Sequence, residues 1–210
     1  MDIKTAIQTG DAEALIRLLA EDRRRANELI QWGQNNCRIL THPLHYVSDM
    51  LFEGTLPKGK ELALVDALVD AGAEVDFRKA EKAETPLIGA ASLGAEDVGM
   101  RLLDAGAKPH LRGDFGETAL HWAALLGEHR LAARLIAGAD LELEDDQYKS
   151  TPLGWAVHGH FNSPAGNHGH QREVVALLVA HRASVKPQWL ADAESHGDAA
   201  LLQLLQGKRH

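Results

Sequence analysis

Three threonines, Thr85, Thr118 and Thr151, stand 33 residues apart, and similar landmarks follow each of them. In residues 113–146, GDFGETALHWAALLGEHRLAARLIAGADLELEDD, Thr118 is followed by Leu120, Ala123, Ala124, Gly127 and the Leu135-Ile136 pair. Upstream the same positions hold Leu87, Ala90, Ala91, Gly94 and Leu102-Leu103. A fixed period of this length leaves few folds open. One period accommodates two short helices and a turn, a unit too small to bury its own apolar face, so successive units must stack to make a core. The paired alanines are small because neighbouring helices approach closely there, and larger side chains would overpack the stack.

The run T-P-L-x-x-A-A-x-x-G, followed by a leucine-rich helix and then Gly-Ala, resembles the ankyrin repeat. The resemblance implies an all-α ankyrin-repeat solenoid of about six helix-turn-helix units, with short hairpin fingers and two inter-helix insertions. It implies a single domain over residues 1–210. Residues 1–40 form an N-terminal capping helix pair and a long loop. Repeats follow at 41–84, with an insertion, at 85–117, at 118–150, and at 151–185, with a His-rich insertion. Residues 186–210 make a C-terminal capping helix pair, whose polar outer face closes the stack.

Gly10 precedes Leu18-Leu19 as Gly94 precedes Leu102-Leu103, which places a first helix pair at residues 2–8 and 11–25. Residues 26–40 are longer than a standard connection and predict an enlarged loop or extra turn carrying Trp32. His42-Pro43-Leu44-His45 stands in for Thr-Pro-Leu-His, with His42 at the capping position and proline at the first helical position, where its missing N–H has no partner to lose. MLFEGTLPKGK, residues 50–60, reads as a loop between two helices. The second of these is expected at 61–70, with Leu64, Leu68 and Val69 inward and Gly72 as a left-handed cap. Residues 77–84, FRKAEKAE, form a charged finger. The repeat opening at Thr151 is interrupted by HGHFNSPAGNHGHQ before a helix at 172–180. Arg182 stands where earlier repeats have Gly72, Gly106 and Gly138, which puts the usual helix cap and the following hairpin in doubt.

The net charge of −8 opposes a nucleic-acid or anionic-membrane surface, either of which needs clustered Lys and Arg. Arg23, Arg24 and Arg25 form the one dense basic run and read as cations at a helix C-terminal end. Cys37 is the single cysteine, so an internal disulfide is impossible and a reducing compartment fits. MDIKTAIQTGD lacks the features of a secretory signal, and no apolar run approaches the roughly 20 residues that span a bilayer. The expectation is a cytoplasmic monomer without a cofactor.

No nucleophile elbow, phosphate-binding glycine loop or paired-cysteine zinc motif occurs. The resemblance implies protein binding through a concave groove of fingers and first helices. The candidate contact residues are Glu81, Lys82, Glu84, Asp114, Phe115, Glu117, Leu125, Leu126, Gln147, Tyr148 and His158. Phe115 and Tyr148 are the expected anchors, since aromatic rings combine large area with few rotors. The acidic run Glu142, Glu144, Asp145 and Asp146 suggests a partner with a basic patch, or equally a solvated hairpin tip.

The alternative is a metal- or small-molecule-binding protein, or an enzyme. His158, His160, His168 and His170 form two H-x-H pairs, which can share a divalent transition metal only if the segment is extended, because residues two apart point to different sides of a helix. Asp49 and His158 occupy equivalent late positions of their first helices, with Tyr46, Trp122 and Trp155 one turn earlier. An acid and a histidine over an aromatic floor suit a small ligand or a proton transfer. Three helix layers of about 10 Å each separate them, too far for a direct pair. A regulatory subunit that blocks its partner shares the sequence features of the first reading.

Overall fold

The computed structural model describes residues 1–33, 39–162 and 170–207. Cys37 and His168 lie outside the described residues. The chain divides into two compact units, Met1–Lys108 and Pro109–His210.

The first unit holds α1 (Ile3–Thr9), α2 (Ala12–Glu21), a 3₁₀ turn (Arg23–Asn27), β1 (Ile30–Trp32), β2 (Ile39–Thr41), α3 (Pro43–Phe52), α4 (Glu61–Asp70), α5 (Pro86–Ser92) and α6 (Glu96–Asp104). None of these helices exceeds ten residues, a length that is marginal for a helix alone in water, so packing supplies their stability. α3 packs against α1 and α5 in one row, and α4 against α2 and α6 in the other. Ile7, Leu15, Leu44, Leu64, Leu68, Leu87 and Leu102 are fully buried between the rows. On α4 the third inward residue is Val65, while Val69, expected there, is half-buried. Val65 and Val69 lie one turn apart on the same face, and burial fades towards the C-terminal end of the helix.

Polar side chains at the helix starts satisfy otherwise unpaired backbone N–H groups. Asp2 accepts from Thr5 N at 2.7 Å, Asp11 from Ala14 N at 2.9 Å and Thr85 from Ile88 N at 3.2 Å. His42 does the same with an imidazole: Nδ1 accepts from Leu44 N at 3.3 Å, and Nε2 lies 3.0 Å from the Asn27 amide oxygen. Arg23 donates to the carbonyls of Asp70 and Ala71 at the end of α4, and Arg25 to Leu18 O near the end of α2 at 3.3 Å. The basic run thus serves helix ends, while Arg24 pairs with Asp22. Within residues 26–40 the structure has an antiparallel strand pair, β1 with β2, in which Trp32 faces Ile39. Three-residue strands are too short to leave a periodic pattern in the sequence.

The second unit holds α7 (Ala119–Leu126), α8 (His129–Leu135), α9 (Pro152–Asn162), α10 (Gln171–Ala180), α11 (Pro187–Ser195) and α12 (Ala199–Leu205). α7 lies against α9, and α10 lies against both α8 and α12. The α7–α9 approach is close enough that a Cβ on Gly159 would sit 2.1 Å from the Leu125 carbonyl oxygen. No helix among the described residues is long and apolar enough to cross a membrane.

Arg182 resolves the doubt about the fifth cap. It adopts the left-handed conformation itself, with φ of 70°. Its N–H bonds Val179 O at 3.0 Å and Ala183 N bonds Leu178 O at 3.0 Å, the same pattern that Gly106 and Ala107 make with Leu103 and Leu102. The cap is kept at the cost of a Cβ in a crowded conformation, about 1–2 kcal/mol. Arg182→Gly is therefore expected to raise stability by about 1 kcal/mol. A urea midpoint unchanged or lowered by this substitution would contradict that account.

Candidate functional site

The hairpin before α7 is built around a buried carboxylate. Glu117 accepts from Phe115 N at 2.9 Å through Oε2, and from the Trp122 indole N–H at 3.2 Å through Oε1. Gly113 must lack a side chain here, since a Cβ would meet Glu117 Oε1 at 2.4 Å. The sequence reading put Glu117 on the contact surface. In the structure it is fully buried, because the turn's own N–H groups and an indole donor surround it.

The next hairpin repeats the device with Asp145, also fully buried. Its Oδ1 accepts from Gln147 N at 2.9 Å and Tyr148 N at 2.5 Å, and its Oδ2 from Ser150 N at 3.1 Å and the Trp155 indole N–H at 3.0 Å. Burial pushes this carboxyl up, but the backbone donors and the indole outweigh it and hold the group below the usual carboxylate range. Asp146 N donates to Phe115 O at 2.6 Å, which ties the two hairpins together. The rest of the acidic run is engaged locally: Asp146 pairs with Arg112, Glu144 with Lys186, and Glu142 accepts from Ser184 N.

His121 links the helix to the same hairpin. Thr118 N can only donate and lies 3.1 Å from Nδ1, while the Leu143 carbonyl can only accept and lies 3.1 Å from Nε2. The ring is therefore neutral with its proton on Nε2. Burial holds its pKa down to about 4. In α9 the equivalent position is Gly154, where a Cβ would sit 2.1 Å from Ser150 Oγ.

These elements border a half-open cavity of about 370 Å³ in the second unit. Trp122 and Leu125 come from α7; Gly154, Trp155 and His158 from α9; Tyr148 and Ser150 from the hairpin between. Trp155 stands nearly perpendicular to Trp122, with centroids 5.0 Å apart and planes at 85°, and to Tyr148, at 6.0 Å and 73°. Of the candidate residues, the structure brings together Leu125, Tyr148 and His158. Trp122 and Trp155, read mainly as packing groups, line the same space. Ser150 and Gly154 carried no sequence signal, because their importance lies in how closely they approach each other.

Phe115, Leu126 and Tyr148 are exposed at 45%, 37% and 65%, and Asp114 and Gln147 are exposed beside them. In the first unit Glu81 and Lys82 are exposed and Glu84 is half-buried. Asp49 is half-buried on α3 in that unit, and burial pushes its pKa up to about 6.

The histidine tract is placed differently from the extended arrangement that shared metal ligation would need. α9 continues to Asn162, so His158 and His160 point to different sides of a helix. His158 is exposed next to Asn162. His160 Nε2 lies 2.7 Å from Asp198 Oδ2, which also binds Arg172 at 2.9 Å. His170 Nδ1 lies 3.0 Å from Glu173 Oε1. Among the described residues no group of three or more His, Cys, Asp or Glu side chains is placed to hold a metal ion.

A family model described as ankyrin repeats (3 copies) matches residues 56–145 and 90–188. A putative ankyrin repeat-containing protein of Treponema pallidum (strain Nichols) is 38% identical over 101 residues. That match covers 46% of this chain and 32% of the relative, so the chain spans about a third of that protein's length.

Two outcomes follow from the buried groups. His42, His45 and His121 are held at about 3, 4 and 4 by burial, so between pH 6.5 and about 4 the unfolded chain binds more protons than the folded one, and their contribution is lost as pH falls through that window. Asp49 acts with the opposite sign between about pH 6 and 3.8, one group against three. The urea midpoint should fall from pH 7 to about pH 5, less steeply in His121→Gln; a midpoint that is flat or rises on acidification would refute this balance. Asp145→Asn should cost about 1–3 kcal/mol at neutral pH, because an amide nitrogen cannot accept from donors that the second carboxylate oxygen satisfies.

Proposed function

This chain belongs to the ankyrin-repeat family, whose repeats are in general protein–protein interaction modules, and we propose that it binds another protein through its hairpin tips and the exposed ends of its first helices. The observation that carries this reading is the exposure of Phe115, Leu126 and Tyr148 together on one unit. Large apolar side chains held at the surface by a rigid backbone suit contact with a partner, because little entropy remains to be lost on binding. Phe115 and Tyr148 each stand beside a buried carboxylate that fixes their backbone N–H.

Asp114, Gln147 and His158 surround these anchors as a polar rim. Glu81, Lys82 and Glu84 lie on the corresponding finger of the first unit and are proposed as that unit's own contact residues. Glu117 has no part in it, being committed to Phe115 N and Trp122. The partner's own basic groups would find little free charge in the acidic run, since Glu142, Glu144 and Asp146 already have local partners. The reading therefore rests on apolar contact. A reducing, cytoplasmic setting is proposed with it, on the single cysteine.

The test is a pull-down from native extract comparing the wild-type chain with a Phe115→Ala, Leu126→Ala, Tyr148→Ala variant whose folding is verified by circular dichroism. A partner retained by the first and lost by the second is the expected result. Equal recovery by both, or recovery of no protein by either, would remove the support for this surface.

A further inference from the structure

We propose that the cavity bounded by Trp122, Trp155 and Tyr148 is a binding site for a trimethylammonium group. Three aromatic rings line one space of about 370 Å³, with Trp155 set steeply against both of its neighbours. Aromatic faces carry negative potential, and several of them around one void attract a cation without any formal charge in the wall. Behind the walls stand two buried carboxylates, Glu117 on the indole N–H of Trp122 and Asp145 on that of Trp155. An indole that donates to a buried carboxylate gains electron density in its ring, and the field of the carboxylate adds to the same negative potential.

The lining also selects among cations. Among the described residues no carboxylate lines the cavity; its polar side chains are the hydroxyls of Ser150 and Tyr148, the His158 imidazole and two indoles whose N–H groups are already committed. A primary ammonium carries three strongly hydrated N–H donors, for which the few neutral acceptors of this wall are a poor exchange for water. A trimethylammonium group has no donor to satisfy, is weakly hydrated, and presents methyl groups that fit Leu125 and the rings. The carboxylates are not direct acceptors either, since both are fully buried behind the lining and Asp145 already receives four donors.

Such a group reaches a protein in two ways, as a free quaternary ammonium metabolite or as a trimethylated lysine in a polypeptide. The second source rests on the partner-binding reading above; the first does not.

The experiment uses the full chain and follows tryptophan fluorescence, backed by calorimetry, during titration with choline and with its neutral isostere 3,3-dimethylbutan-1-ol. A lysine peptide in trimethylated and unmodified forms makes a second pair. Saturable binding of choline or of the trimethylated peptide, at least about tenfold tighter than its uncharged or unmethylated counterpart, is expected. Tyr148→Phe should preserve that binding and Tyr148→Leu weaken it severalfold; Tyr148 is exposed, so neither change is a folding risk. Equal binding of choline and the neutral isostere would overturn the proposal, as would no binding of either cation. A partner still captured while no cation binds would sink the cation site and leave the partner surface standing; cation binding without any captured partner would do the reverse.

Discussion

Every helix described here is between seven and eleven residues long, and that shortness governs the rest of the structure. A helix of two or three turns forms too few internal hydrogen bonds to offset its nucleation cost in water. Each one persists because its neighbours bury its apolar face, and several also have an end closed by a side chain rather than left to solvent. The end groups are consequently as structural as the core. Asp2, Asp11, His42, Thr85 and Asp198 close starts, and Arg23 and Arg182 close ends.

The same economy appears in the hairpins. A short turn with several N–H groups pointing inward would be expensive to bury unless an acceptor filled it. Glu117 and Asp145 fill their respective turns and then use a remaining lone pair on an indole. One side chain thereby sets the loop, the adjacent helix side chain and the wall of the cavity. Charges in such positions are held by geometry, which is why the charge on Asp145 contributes to folding while leaving little for a partner to engage.

Sequence alone exposed the repeat, the helix pairs and some of the caps, because these depend on local rules. His42 could be recognised as a cap from its place before Pro43-Leu44, and Gly72, Gly106 and Gly138 from the need for a residue without Cβ. Other features depended on which neighbour a side chain meets. Glu117 looked like an exposed contact residue of its finger until its donors were in place. Val65 is buried where Val69, one turn further along the same face, is only half-buried. α9 ran past His158 and His160 because two histidines and Phe161 are tolerable in a helix that can pack them: His160 reaches Asp198, and Phe161 meets His196. Arg182 showed that a left-handed cap can be imposed by its surroundings on a residue that disfavours it. Trp122 and Trp155 were visible as an aromatic floor, but the cavity beside them is also lined by Gly154 and Ser150, whose close approach has no signature in the sequence.

The hydrogen bond from Asp146 N to Phe115 O has a consequence for how this molecule can change over generations. It joins neighbouring turns through backbone atoms, so this link does not depend on which side chains project outward. Asp114, Gln147 and Tyr148 can be exchanged while the frame keeps its pitch, and a new specificity can be tried without a new scaffold. The variable letters and the fixed grammar sit on the same few residues, separated only by which atoms point outward.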